Sequence, residues 1–369
     1  MNCGATGDRR EKENVHQFNA PHIAPRCPLP SPTEAGSFSW MPAPNIPALT
    51  PGDRVQSDFV VVDRAEKRMA SGDPYVILTL GNASGRIETA PIWPDKLSWA
   101  DGAERGSLVQ VVGDVSLYGR NGSVKRQLAI AAPLRVLPKD QLDIAAFLPS
   151  IGDCTKLWDW IDKQRMEIRS TTLKSIVDLF FANDDFRLRF ERTPGSPSGH
   201  HAKLGGLLLH VYEVVSIAKT TARTAKANMD LVIAGSLLHD IGKVEGYEVS
   251  ATGFASTPCG LLVGHVVLGA FMLERALSKL DYPICSEGQL LELQHMILSH
   301  HGSLEFGSPV QPATLEAEIL HWADEASAKA NDMSESLEDA DAFSDGGEIS
   351  DKKPWRVGRR IWRRPHTWD

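Results

Sequence analysis

Two periods of hydrophobicity divide this chain. Between residues 51 and 140, Val, Ile and Leu recur in short runs bounded by turn residues, as in Ser71-Gly72-Asp73 and Arg120-Asn121-Gly122. Such runs predict strands, here over 56–65, 75–81, 86–92, 108–118 and 125–136, with a short helical stretch over 94–103. Beyond about residue 148 the period lengthens. Leu207, Leu208, Val211, Val214 and Val215 recur at helical spacing. The same pattern predicts one or two helices over 154–190 and further helices over 205–227, 230–242, 262–280, 287–301 and 314–331. Gly242 and Gly302 stand where helices end, and Pro312 where the last one begins.

Five strands with one helix ahead of the fourth is the order of an OB-fold barrel. The expected fold class is therefore multidomain: a small all-β OB-fold barrel followed by an all-α helical bundle. Residues 1–48 hold eight prolines without sustained periodicity and predict a flexible leader. The barrel is expected over 51–140 and the helical domain over 150–332. An acidic linker and a Trp/Arg tail follow over 333–369, with Trp355, Trp362 and Trp368 set among arginines.

The net charge of −8 excludes a uniformly basic coat for nucleic acid, but the charge is uneven. The barrel region carries 12 Lys/Arg against 11 Asp/Glu, and seven Lys/Arg lie between Lys352 and Arg364. Basic patches are thus compatible with an acidic whole. Five scattered cysteines (Cys3, Cys27, Cys154, Cys259, Cys285) form no Cys-x-x-Cys pair and suit a reducing compartment. With no apolar signal core and no run approaching the roughly 20 residues that cross a bilayer, a cytoplasmic protein without membrane contact is expected.

Metal-capable side chains are ordered across the second half: His210, His239-Asp240, His265, His300-His301 and Asp324. A lone helical histidine is ordinarily core filler or surface. Here, however, Asp240 ends a run too apolar to bury an unpaired carboxylate, and a buried charge needs a partner or a metal. Five imidazoles and two carboxylates suit Mn, Fe, Co or Ni better than a calcium cage or a closed thiolate zinc site. Lys243, one turn beyond Asp240, is placed to steady a phosphate oxygen or leaving group; otherwise it is a cation at a helix end. His321 precedes Asp324 by one helical turn and is a candidate to orient it. His295 points elsewhere on its helix and reads as structural. His200 and His201 lie in a Gly/Ser/Pro-rich loop and are candidate substrate guards. In the barrel, Phe59, Tyr75, Trp93 and Tyr118 are candidate base-stacking platforms. Arg64, Lys67, Arg68, Arg86, Arg120, Lys125 and Arg126 form a candidate phosphate track.

The order His, His-Asp, Asp resembles the HD-domain superfamily of metal-dependent phosphohydrolases, and His265 with His300-His301 resembles its dinuclear members. A closer resemblance is to the YhaM-type 3′→5′ exoribonucleases. It is carried by His200-His201, Gly205, His210, Leu238-His239-Asp240-Ile241-Gly242-Lys243, Gly264-His265, residues 293–302, Phe306-Gly307-Ser308-Pro309 and residues 316–321, and it spans about 51–332. The resemblance implies an OB-fold ahead of an HD domain. It implies one divalent cation on His210, His239, Asp240 and Asp324, a second on His265, His300 and His301, and Asp240 bridging. Mn, Fe, Co, Ni or Mg is the implied cofactor, and Lys329 also matches the pattern. Two such cations clamp an in-line displacement at phosphorus. The implied activity is shortening of single-stranded RNA, and of single-stranded DNA as a further substrate, from the 3′ end. A homo-oligomer is a compatible assembly. Two alternatives stand beside it: an HD phosphohydrolase of a small nucleotide or cyclic dinucleotide, and a nucleic-acid-binding protein with a structural HD bundle. The cyclic-dinucleotide branch carries Gly-Tyr-Pro after its His pair, where this chain has Gly302-Ser303-Leu304.

Overall fold

The N-terminal strands owe their length to β-branched residues and their curvature to one irregularity. A computed structural model of the chain describes residues 43–120, 123–138, 144–250, 252–339, 342–344 and 346–368. The strands are β1 (Arg54–Arg68), β2 (Pro74–Asn82), β3 (Gly85–Thr89), β4 (Leu108–Arg120), β5 (Ser123–Ile130) and the short β6 (Arg135–Leu137), with a 3₁₀ segment Pro94–Ala100 between β3 and β4. The first half of β1 pairs with β4 and its second half with β2, with a register shift between Val61 and Asp63. A bulge there bends the strand so that it serves two neighbours. With β3 parallel to β5 and β5 antiparallel to β4, the order β1-β2-β3-β5-β4 returns to β1 and closes an OB-like barrel. Phe59, Leu78, Leu80, Val109, Val111 and Leu128 fill it at 0% exposure. Phe59 is thus a core residue, not a stacking platform: its side chain alternates inward with those neighbours.

The helices follow from residue 155: α1 (Thr155–Glu167), α2 (Thr171–Phe181), α3 (Asp184–Arg192), α4 (Gly206–Ala225), α5 (Met229–Leu238), α6 (Lys243–Gly246), α7 (Pro258–Leu262), α8 (His265–Ser278), α9 (Glu287–Ser299) and α10 (Leu315–Glu338). Side chains of Ser170, Asn183, Asn228, Ser286 and Thr314 accept from backbone N–H groups at the helix starts, and Ser286 forms a capping box with Gln289. Those caps explain why the 154–190 stretch is three helices, where the periodicity predicts one or two. The last helix starts at the Thr314 cap and continues to Glu338, beyond the expected end at 331. A hairpin of β7 (Tyr247–Ser250) and β8 (Gly253–Ser256) interrupts the helical half, an element the sequence pattern does not reveal.

Helix α5 is the axis of this half. Every residue from Leu231 to Leu238 is buried, so the helix has no solvent face and must be surrounded. Its C-terminal end therefore delivers His239 and Asp240 into the interior. The tail also packs: Phe343 and Ile361 are buried, Ile349 and Trp362 form a β-bridge, and Ser350 N–H donates to the Ile361 carbonyl. Residues 1–42, on which most of the expected leader falls, lie outside the described residues. No helix among the described residues is long and apolar enough to cross a membrane.

Candidate metal centre

The centre is assembled where six helices meet. His210 sits within α4, His239 ends α5 and Asp240 follows it. Lys243 opens α6, His265 opens α8, His300 and His301 follow α9, and Asp324 lies within α10. The structure brings all seven sequence candidates together. His210, His239 and Asp324 form one group and His265, His300 and His301 another, and within each the donor atoms lie within 4.8 Å of one another.

Asp240 stands between the groups. Its Oδ2 lies 3.4 Å from His210 Nε2 and 3.2 Å from His239 Nε2, while Oδ1 lies 3.5 Å from His265 Nε2 and 3.7 Å from His300 Nε2. Each oxygen thus faces a different set of imidazoles. The carboxylate is fully buried; Oδ2 is ion-paired with Lys243 at 2.6 Å, and Oδ1 has no hydrogen-bond partner. His300 Nε2 is likewise buried without a partner. Buried polar atoms are ordinarily satisfied, and orphaned donors converging on one space fit a bound cation.

The ring orientations are fixed from behind. His239 Nδ1–H donates to the Ser236 carbonyl at 2.8 Å and His300 Nδ1–H to the Ile297 carbonyl at 2.7 Å. Carbonyls only accept, so these rings carry their proton on Nδ1 and turn an Nε2 lone pair toward Asp240. His210 reaches the same tautomer through side chains. Ser327 O–H donates to Glu213 Oε2 at 2.7 Å, which leaves the Ser327 oxygen to accept from His210 Nδ1–H at 2.9 Å. Asp324 Oδ1 lies 2.9 Å from His210 Nε2. His321 donates from Nδ1 to the His300 carbonyl at 2.9 Å, so it steadies the His300-His301 corner. Gly302, at φ +80°, is packed under the His321 ring, where a Cβ would collide. Glu213 and Ser327 are functional neighbours that reading the sequence missed. Each lies three residues beyond a candidate ligand, the spacing that shares a helix face.

Electrostatics suit cation binding. Burial, then the nearby Lys243 charge, pushes His265 down to about 3, and burial drives His300 well below its ordinary range. Both imidazoles are neutral at neutral pH, as ligands must be. Burial alone would raise Asp240, but Lys243 and His239 hold its carboxyl well below the usual carboxylate range. Lys243 Nζ lies 2.6 Å from Asp240 Oδ2, and against its own burial that partner raises the ammonium above its ordinary value.

The remaining candidates divide. The His200 ring lies 5.2 Å from that of His210, and burial with the Lys243 charge pushes it down to about 2. His201 is fully buried, its Nε2 3.0 Å from Glu213 Oε2 and its N–H donating to Asn331; it braces the loop instead of lining the centre. Lys329 is exposed and pairs with Glu325 at 2.8 Å. It lies five residues beyond Asp324, roughly 140° around the helix, on a different face. His295 accepts from Ala313 N–H, a structural contact. In the barrel, the Arg126 guanidinium donates to the Pro47 and Leu49 carbonyls, and Arg64 to those of Ala100 and Ala103, so both are braces. Lys125 is exposed and pairs in register with Tyr118, which is also exposed. The Arg120 side chain lies outside what is described.

Comparison with known proteins agrees with this geometry. The HD domain family model matches residues 207–329. The chain is 33% identical to the 3′-5′ exoribonuclease YhaM of Bacillus subtilis over 290 residues, covering 78% of this chain and 88% of the relative. The protein of the same name from Bacillus licheniformis is 33% identical over 285 residues, 76% of this chain and 87% of that one. That from Listeria innocua is 29% identical over 308 residues, 82% and 92% respectively.

Proposed function

Since this chain belongs to the YhaM 3′-5′ exoribonuclease family, we propose that it removes nucleotides from the 3′ end of single-stranded RNA by metal-dependent hydrolysis, with single-stranded DNA as a second substrate. One observation carries the reading of the site. Buried Asp240 turns Oδ2 to His210 and His239 and Oδ1, which has no hydrogen-bond partner, to His265 and His300. That arrangement supports reading Asp240 as a bridging carboxylate. His210, His239, Asp240 and Asp324 would hold one divalent cation and Asp240, His265, His300 and His301 a second, with Mn, Fe, Co, Ni and Mg the candidates. Such cations supply Lewis acidity for activating water and for offsetting charge at the attacked phosphorus.

The protein's own groups do the rest. The Ser236 and Ile297 carbonyls and the Ser327–Glu213 pair hold three imidazoles in one tautomer. Lys243 keeps its proton beside Asp240, so it offers a fixed positive charge to a phosphate oxygen or to the departing 3′ oxygen. Helical walls exclude bulk water and strengthen each of these charges. The barrel over 51–140 grips the strand while the helical domain over 150–332 cuts it, with exposed Tyr118 beside Lys125 and the Tyr75–Trp93 pair as stacking surfaces. Action in the cytoplasm and a homo-oligomeric assembly complete the proposal.

The test uses single-stranded RNA labelled at either end, with manganese, on the wild type and Asp240→Ala. Stepwise shortening from the 3′ end, lost in the variant together with bound metal, is expected. Hydrolysis of free or cyclic nucleotides alone would replace the reading with a small-nucleotide phosphohydrolase. RNA retention without cleavage would leave a binding protein.

A further inference from the structure

A cleft of about 400 Å³ lies between the barrel and the helical half. On one side it is walled by Arg86 at the start of β3, and on the other by Pro197, Ser198 and Ala202 and by the turn of the β7–β8 hairpin. The C-terminal segment closes it with Trp355 and Arg356. Three features distinguish it from a packing gap.

The Trp355 indole is 70% exposed although it lines a cleft. It is also fixed from behind. The Arg356 guanidinium sits 5.3 Å from the ring centroid, pairs with Glu335 of α10 at 2.9 Å and donates to the Ser198 carbonyl at 3.2 Å. The tail thus presents an anchored aromatic plane with a free face. Arg86, on the barrel side, is exposed, and its side chain, which reaches toward Gly253 of the hairpin, makes no hydrogen bond or ion pair among the described residues. A guanidinium free of side-chain partners and an aromatic plane lining the same cleft match the needs of one nucleotide: a π-face for the base and a cation for its phosphate. Finally, the Ser198 wall runs on to His200, whose ring touches the metal centre at His210. One short stretch of loop, Ser198 to His200, therefore links the wall of the cleft to the candidate metal centre.

We propose that this cleft is a nucleotide subsite for single-stranded RNA, in which Trp355 stacks a base upstream of the scissile bond and Arg86 holds a backbone phosphate. This deepens the exonuclease reading and rests on it. A strand whose 3′ end lies at Asp240 would pass His200, cross Trp355 and continue onto the barrel. Trp355 belongs to the segment beyond the HD domain match, which ends at residue 329.

The test measures binding of 3′-phosphorothioate RNA, as a dinucleotide and as an octanucleotide, to the full-length wild type and to Trp355→Ala, Trp355→Phe and Arg86→Gln. The same proteins are assayed for shortening of ordinary RNA and for Tm. Loss of one base stack lowers octanucleotide affinity roughly 5- to 100-fold in Trp355→Ala, with Trp355→Phe largely restored and the dinucleotide unaffected. Arg86→Gln is expected to flatten the salt dependence by about one phosphate contact. Wild-type octanucleotide affinity in Trp355→Ala overturns the subsite. So does a Trp355→Phe variant as weak as the alanine one, since the indole would then be packing alone. Equal loss for both lengths overturns it as well. A wild type that shortens no RNA sinks the exonuclease reading instead, and the Trp355 dependence of binding is still read separately.

Discussion

Ser327 shows how far a small side chain reaches at the scale of single residues. It neither faces Asp240 nor bears charge, yet its oxygen fixes which nitrogen of His210 is free. Ser327→Ala or Glu213→Gln is expected to weaken metal affinity or activity roughly 10- to 100-fold, with partial recovery at high manganese. Activity titrated against metal concentration measures this, and an unchanged titration would contradict it. Gly302→Ala forces a side chain into a φ of +80° under the His321 ring. A loss of about 1–3 kcal/mol in denaturant unfolding is expected. The centre's residues were legible in the sequence because their chemistry is rare in apolar surroundings: Asp240 after Leu237-Leu238 and Asp324 after Ile319-Leu320 need a reason to be there. Ser327 and Glu213 were not, although the spacing was available, since serine and glutamate on a helix are ordinary. The carbonyls of Ser236 and Ile297 leave no sequence signal at all, because every residue has one. Arg64 and Arg126 misled in the other direction: a basic residue on a barrel reads as a phosphate contact until its carbonyl partners are known.

At the scale of elements, α5 decides the centre's position. Its buried flank includes Leu237, at 0% exposure, immediately before Leu238 and His239. Leu237→Ala is expected to lower stability by about 2–5 kcal/mol. Activity per folded molecule should fall as well, because the cavity lies two residues from a ligand candidate; chemical denaturation and active-site metal content measure the two effects. Helical periodicity located most of these helices. It did not separate α1, α2 and α3, because the breaks depend on single capping residues, Ser170 and Asn183. The β7–β8 hairpin escaped because four-residue strands around a turn leave too few positions for an alternating pattern. The barrel strands were legible because its core is filled by alternate β-branched and leucine residues; hidden were the β1 bulge and the break that splits the strand expected over 125–136 into β5 and β6.

At the scale of the whole molecule, burial drives several interior imidazoles toward the neutral form, while Asp240 and Asp324 raise His210 against its own burial. His200 is held near 2 and His265 near 3, against 6.5 for an ordinary histidine. The unfolded chain therefore binds more protons than the folded one between about pH 6.5 and 3. Stability falls as pH is lowered through that window. For EDTA-treated protein, Tm should decline steadily from about pH 7 to 4, and His265→Asn should flatten the slope; a level profile in the wild type would refute it. Adding back manganese at neutral pH should raise Tm in proportion to the logarithm of its concentration once sites are saturated. The tail's packing onto the Ser198 loop was beyond sequence reading, since it depends on Arg356 meeting Glu335, a pairing that no period announces.

Helix α10 is the latest-made of the long helices, and it lies alongside α4, made more than a hundred residues earlier, to set Asp324 against His210. During synthesis, domains mature from the N-terminus onward. The set of ligand candidates is therefore complete only once α10 has docked on α4, and a chain cut before residue 315 would keep every barrel strand while lacking Asp324.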